Sequence, residues 1–319
     1  MKLKLLIVFI LIAYQSLYSQ KIEKFYNYRW NEVANAAKAR FYSIIENKDS
    51  VWQRQDFYIQ EARLQMSGYY KEAECKIEHG EFSWYHPNGI LQTRGKYVNG
   101  KKNGLWLSFH DNGMMSDSVF YNDNGGVVGT RLGWHANGIM ADSTLINPDG
   151  SGVSIYWWEN GYPSAAGRYA PGFKRQGKWQ YFRSNGQLAS LETYDNGKII
   201  DKQYFDEKGA SQADTTNRDR EASFPGGLAA WQKYLQKNLY FPSQYKLANA
   251  DEAVVMVRFA VNEDGSVSEP SVTISLHPDF DKIAVDVIRH SPKWIPAISH
   301  NRKIKEYHSQ PVTFAQHEY

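Results

Sequence analysis

The feature that most limits how this chain can fold is a repeat of about 24 residues that fills its middle. Gly89, Gly113, Gly138, Gly161 and Gly186 each follow an asparagine, and nine residues before them stand Gly80, Gly104, Gly129, Gly152 and Gly177. Between the paired glycines the text alternates, as in Gly80-Glu-Phe-Ser-Trp-Tyr and Gly177-Lys-Trp-Gln-Tyr-Phe, and it closes on Asn-Gly. Alternation ended by Asn-Gly is the strongest short-range hairpin signal, because that dipeptide tolerates the positive φ angles of tight β-turns. Each repeat is therefore expected to be one two-stranded hairpin. An isolated hairpin is marginal in water, so neighbours must pair edge to edge and bury a shared face. The aromatic column five residues after the first glycine, Tyr85, Phe109, Trp134, Trp157 and Phe182, is expected to supply that face.

The ends of the array are degenerate, as capping repeats should be. Ile200 replaces the first glycine of a last copy ending at Gly209, and Trp52 to Tyr69 is an imperfect earlier copy with Glu61 where the second glycine should fall. The repeats resemble the variant MORN repeats of bacterial envelope proteins and of the YwqK-like antitoxin family. The likeness covers about residues 50 to 210 and rests on the Gly-x-Trp openings at Gly104 and Gly177 and on the Asn-Gly column. It implies an elongated, twisted antiparallel β-array used for binding, and no chemistry. The 15% of aromatic residues, high for a chain with 22% charged ones, is thus first a signature of architecture.

The N-terminus has a different pattern. Lys2 and Lys4 precede an apolar run from Leu5 to Tyr14. As a helix the run rises about 15 Å, half of a bilayer's hydrocarbon core, which fits a signal peptide better than a membrane span. Residues 1–19 are expected to be cleaved after Ser19 or Gln20, exporting a protein to the periplasm or cell envelope. Residues 21–50 read as a leading strand, a turn and a short strand, with a short helix around Asn31 to Arg40 as the alternative.

After Gly209 the period stops. Ala210 to Ala222 is polar and reads as a linker. Leu228, Trp231, Leu235 and Leu239 have helical spacing, and Pro242 opens an expected second short helix through Ala250. Ala253 to Val261 and Ser266 to Ser275 read as strands around an Asn262-Glu-Asp-Gly265 turn. Pro278 to His290 follows as a helix with Phe280, Ile283, Ala284, Val287 and Ile288 inward, and Lys305 to Gln316 as a final strand.

That order, with Phe224-Pro-Gly-Gly227, Phe241-Pro242, Val261-Asn-Glu-Asp-Gly-Ser-Val267, Ser275-Leu-His-Pro278, Pro292-Lys-Trp-Ile-Pro-Ala297 and Gln310-Pro-Val-Thr-Phe314, resembles the C-terminal domain of TonB, the periplasmic energy transducer. The resemblance implies that the last strand takes up an extended peptide from an outer-membrane transporter. The residues expected to bind the partner are Glu306, Tyr307, His308, Ser309, Gln310, Val312, Thr313 and Phe314. Elementary sheet physics points the same way: a terminal strand at a sheet edge leaves backbone donors and acceptors unpaired, and Pro311 suits an edge. A homodimer through the same strand is the other use of that edge. The chain departs from full transducers in having no proline before Pro87 and a short linker.

Other chemistries find little support. Lys plus Arg is 37 against 34 Asp plus Glu, so nucleic acid is not an expected partner. Residues 224–319 carry ten basic and ten acidic side chains, and long-range charge is expected to contribute little to any partner. A single cysteine, Cys75, excludes a disulfide framework and reads as a spectator thiol. His86, His110 and His135 share one repeat column, but equivalent positions two strand spacings apart sit about 9.6 Å from one another, too far to share a metal ion. They read as members of a solvated face. No triad, phosphate loop or carboxylate pair appears, so no enzyme, cofactor or metal is expected. The expected fold is a β-rich chain in two parts, an antiparallel hairpin array followed by a small α+β domain with helices on a three-stranded antiparallel sheet. Its division is 1–19 signal peptide, 20–79 cap and degenerate first repeat, 80–209 repeats, 210–223 linker and 224–319 TonB-like domain. The leading functional expectation is a non-enzymatic, transport-associated adaptor. The alternative is an interaction or immunity-type module working through the repeat surface, its C-terminal domain serving only dimerisation or docking.

Overall fold

The computed structural model describes residues 21–213, 215, 218–246 and 253–315; the expected signal peptide, residues 1–19, lies outside them. One antiparallel sheet of 16 strands runs in chain order along the first two thirds of the chain. It consists of β1 (Lys21–Tyr26), β2 (Phe41–Lys48), β3 (Val51–Tyr58), β4 (Arg63–Tyr70), β5 (Glu78–Tyr85), β6 (Leu91–Val98), β7 (Lys101–Phe109) and β8 (Met115–Tyr121). It continues through β9 (Gly129–Trp134), β10 (Met140–Ile146), β11 (Gly152–Trp157), β12 (Pro163–Ala170), β13 (Lys174–Phe182), β14 (Leu188–Asp195), β15 (Lys198–Phe205) and β16 (Ser211–Gln212). The Asn-Gly turns form as the sequence requires. Gly89 has φ +87°, and the Asn88 side chain accepts from Ile90 N at 3.0 Å. In place of the alternative helix between Asn31 and Arg40 there is only a three-residue 3-10 turn, Ala36–Lys38.

The buried face is not the one expected. Phe82, Trp106 and Trp179, two residues after the repeat's first glycine, are 1%, 4% and 1% exposed, whereas no member of the column at the fifth position is buried. Side chains alternate across a strand, so positions two and five point to opposite faces. The choice between faces is made by a glycine in the neighbouring hairpin. A Cβ on Gly95 would lie 2.2 Å from the Trp106 ring, and one on Gly167 would lie 2.1 Å from that of Trp179. The rings therefore lie flat over bare backbone, and Tyr97 and Tyr194 meet them edge-on at 4.9 and 6.5 Å.

The middle repeats break this pattern. Arg131 and Ser154 stand at the second position, and the same face carries Asp117, Asp142 and Thr144. Arg131 donates to Asp117 Oδ2 at 2.6 Å and lies 3.5 Å from Asp142 Oδ2, while the Thr144 and Ser154 hydroxyls pair at 2.6 Å. Burial raises the Asp142 carboxyl, partly offset by Arg131.

The C-terminal unit holds α1 (Gly227–Asn238), β17 (Ala253–Val261), β18 (Val267–Ile274), α2 (Pro278–Arg289), β19 (Ala297–Ser299), β20 (Arg302–Ile304) and β21 (Glu306–Phe314). Its sheet has the order β18-β17-β21. Pro278 starts α2 behind a His277 cap, and Phe280, Ile283, Ala284, Val287 and Ile288 are buried as their spacing predicts. They pack with Trp231, Phe259, Trp294, Val312 and Phe314 in one core. Three points differ from the sequence reading. Pro242 to Lys246 forms a turn instead of opening a helix, and residues 247–252 lie outside the described part. The polar stretch after Gly209 is partly ordered: Ser211–Gln212 pairs with β15, and Arg220 and Ser223 bridge Ile298 and Ile295. The short β19–β20 hairpin has too few residues to show any period.

Candidate partner-binding edge

β21 pairs along its whole length with β17, from Glu306 opposite Val261 to Phe314 opposite Ala253. Among the described residues no strand pairs with its other side. Proline is tolerated in a strand when its nitrogen faces away from the ladder. Pro311 therefore turns the backbone donors of Ser309 and Thr313 outward, since donors on one side recur every second residue.

The eight expected site residues divide between two faces. Val312 is fully buried and Phe314 3% exposed, with the Phe314 ring edge-on to Phe280 at 5.0 Å, so neither side chain is free for a partner. Gln310 Oε1 accepts from Trp231 Nε1 at 2.9 Å. His308 stacks on Phe259 at 5.5 Å, and its Nε2 lies 3.1 Å from Glu306. Glu306 also accepts from the backbone N of Ala222 at 2.7 Å. Ser309 and Thr313 are exposed on the other face with Tyr307, whose hydroxyl donates to Glu269 at 2.8 Å beneath the Arg258 guanidinium. What the edge offers is backbone plus the outward side chains of Tyr307, Ser309, Pro311 and Thr313.

The other end of the unit is occupied. The turn between β19 and β20 places His300 face to face with Tyr181 at 3.7 Å, its Nδ1 2.9 Å from the Glu192 carboxylate. Glu192 is 1% exposed. Burial pushes its carboxyl up, but hydrogen bonds from His300, Tyr194 and Ser190 outweigh that and hold it below the ordinary value. Asn301 Nδ2 donates to the Ala189 and Phe205 carbonyls, and Arg302 donates to the carbonyls of Ser164 and Phe182. Burial pushes the Arg302 guanidinium down to about 10. Ser184 reaches Glu263 at 3.1 Å, and Lys305 bridges Glu159 and Glu269. Burial lowers the Lys305 ammonium, and those two carboxylates more than reverse the shift. Between the turn row and the outer face of the small sheet lies a cleft of about 900 Å³, lined by Asp111, Trp134, Glu159, Arg258 and Glu269 among others.

Glu192 lies 108 residues from His300 in the chain, and no spacing rule links the two. The histidine column is also not a solvated face. His86, His110 and His135 are half-buried, and each Nε2 lies 2.8 to 2.9 Å from a carbonyl of the next repeat, that of Phe109, Trp134 or Trp157. Trp158 and Arg183 continue the column onto Phe182 O and Phe205 O. Among the described residues no group of three His, Cys, Asp or Glu side chains gathers where a metal could bind, and no helix is long and apolar enough to cross a membrane. Burial pushes the Cys75 thiol up to about 11, which keeps it protonated at neutral pH.

Comparison with known families follows this division of the molecule. Residues 237–315 match the family described as Gram-negative bacterial TonB protein C-terminal, and residues 78–99 and 175–196 match the MORN repeat variant. The chain thus carries a TonB-type C-terminal domain preceded by MORN-variant repeats. No curated protein matches it.

Proposed function

We propose that this chain is a non-enzymatic protein of the cell envelope that takes up an extended peptide by strand addition along the outer side of β21. The observation that carries the reading is the unpaired length of that strand beside a β18 edge that borders the array. Glu269, Pro270 and Ser271 of β18 line the cleft with the repeat turns, so the two edges of the sheet are not equivalent. An added strand satisfies backbone donors and acceptors that otherwise face water, and the outward side chains select the sequence. The likeness to TonB makes an N-terminal segment of an outer-membrane transporter the first peptide to try.

The test is peptide binding by calorimetry with Ser309→Pro. This substitution removes one outward donor, whereas proline at Val312 would break the ladder and the core. A loss of about 5-fold or more in affinity is expected, the worth of one hydrogen bond. Binding that survives Ser309→Pro and Thr313→Pro together would sink the reading.

A second reading has its own observation. The β19–β20 hairpin inserts into the array, which is what a docking element would do, and the array then becomes the working surface. Removing residues 224–319 separates the two: partner capture survives the deletion only if the repeats do the binding.

A further inference from the structure

The aromatic stack of the inner face follows a pairing rule and breaks it in the middle. Gly95 lies opposite Phe82 and carries the ring of Trp106 from the next hairpin, and Gly167 lies opposite Ser154 and carries that of Trp179. The same place is held on β8 by Val119, opposite Trp106, and on β10 by Thr144, opposite Arg131. A Cβ there leaves no bare backbone for an indole, and the hairpins that follow present Arg131 and Ser154 in place of a ring. Both partners of the rule change together, twice in succession.

What replaces the rings is polar and incompletely satisfied. Gly133 lies opposite both Asp117 and Asp142, so the two carboxylates flank a bare stretch of β9. Arg131 is committed to Asp117, through Nε at 3.0 Å and Nη2 at 2.6 Å. Its Nη1 lies 3.5 Å from Asp142 Oδ2, longer than an N–H···O bond, and has no acceptor among the described residues. Asp142 is 7% exposed, and its Oδ2 has no donor among the described residues. A buried acceptor left in that state is costly. An unpaired donor beside an unpaired acceptor is the complement of a hydroxyl group, which accepts from the one and donates to the other. Arg131, whose side chain is 38% exposed, is the partner able to yield as the hydroxyl enters.

Rings border this floor on both sides. Tyr121 meets Trp106 at 6.2 Å on one side, and on the other Tyr156 lies opposite Asp142 with its hydroxyl 3.3 Å from that of Tyr169. His300 stacks on Tyr181 of β13, so the β19–β20 hairpin stands at the far end. Asp117 and Asp142 are matched by Arg131 and by Lys102, whose ammonium lies 4.3 Å from the centre of the Trp106 ring and within the field of Asp117. The floor therefore favours an uncharged ligand. We propose that the inner face over β8 to β11 is a saccharide-binding site, in which a sugar hydroxyl bridges Arg131 and Asp142 while Tyr121 and Tyr156 flank the sugar ring. A sugar is uncharged, holds its hydroxyls in a fixed array and offers apolar ring faces to aromatic side chains.

The experiment is calorimetry of the full chain with three neutral probes, maltotriose, cellotriose and triacetylchitotriose. At least one is expected to bind, and to bind about tenfold or more weakly in Asp142→Ala, the worth of a hydrogen bond to a charged group. A second variant restores the pairing rule: Thr144→Gly/Ser154→Trp gives an indole bare backbone to lie on and leaves Asp117, Arg131 and Asp142 in place. It is expected to keep the β-sheet circular dichroism of the parent and to lose saccharide binding, because the new ring covers the floor. Ser309→Pro, at the edge of β21, is expected to bind the probes like the parent. Failure of all three probes to bind would mean that only water fits between Arg131 and Asp142, and would overturn the proposal. So would binding that is unchanged in Asp142→Ala or in Thr144→Gly/Ser154→Trp, and a loss in Ser309→Pro would move the site to β21 and overturn it as well.

Discussion

Gly95 and Gly167 are small because a tryptophan lies on them. Each sits inside a strand, where glycine ordinarily weakens a sheet, and each allows an indole to lie against the backbone of the next hairpin. The indole nitrogens of Trp106 and Trp179 then reach the carbonyls of Lys96 and Arg168 at 3.3 and 3.0 Å. Gly95→Ala is expected to cost about 2 kcal/mol or more, since the ring cannot move away without losing that bond and its tyrosine contacts. Urea unfolding measures it, and a loss below about 0.5 kcal/mol would mean that the ring has room to shift. Gly104, with open space around its Cβ position, has another reason to be glycine, its φ of +71°.

At the scale of elements, the hairpin of β19 and β20 decides how the two halves of the molecule meet. Its three-residue strands bury little, and its hold comes from side chains at the turn: a stacked imidazole on a buried carboxylate, an amide on two carbonyls and a guanidinium on two more. Because the folded Glu192 carboxyl is held below its unfolded value, its contribution is present above the unfolded pKa, about 4.5, and is lost as pH falls through the folded value. Docking is therefore expected to loosen in acid. At neutral pH, His300→Ala/Arg302→Ala should do the same. Proteolysis of the segment 210–223 reports both, with cutting about tenfold faster expected for the double variant. An unchanged rate in both cases would show that the hairpin does not hold the unit in place.

On the scale of the whole molecule, the C-terminal unit is bonded to the array near its end and lies within electrostatic range of its start. Asn301 binds Phe205 O, while the Asp281 carboxylate acts electrostatically on Arg40 and Glu61, 241 and 220 residues earlier in the chain. A repeat array is close to one-dimensional, so a repeat can in principle be removed without unfolding its neighbours. Here removal also changes the span between the bonded end and the start that faces Asp281. Deleting residues 105–128 shortens the turn row by two strand spacings, about 9.6 Å. The shortened chain is expected to keep its β-sheet circular dichroism and lose protection from hydrogen exchange either in β19–β20 or around Arg40. Full protection at both would mean that the array can change its curvature freely.

What the sequence determined by itself is everything that repeats locally. The turns at Gly89, Gly113, Gly138, Gly161 and Gly186, the hairpins between them, the inward face of α2 and the edge position of Pro311 all follow from spacing, because strand alternation, helical periodicity and turn angles are set by residues close in the chain. The tertiary structure decided which face of the array is buried, since that depends on glycines one hairpin away. It also decided that His300 meets Glu192 and that the histidine column ties repeat to repeat. Local spacing gives no hint of either, because the partners lie 22 to 108 residues apart in the chain and only the register of the strands brings them together.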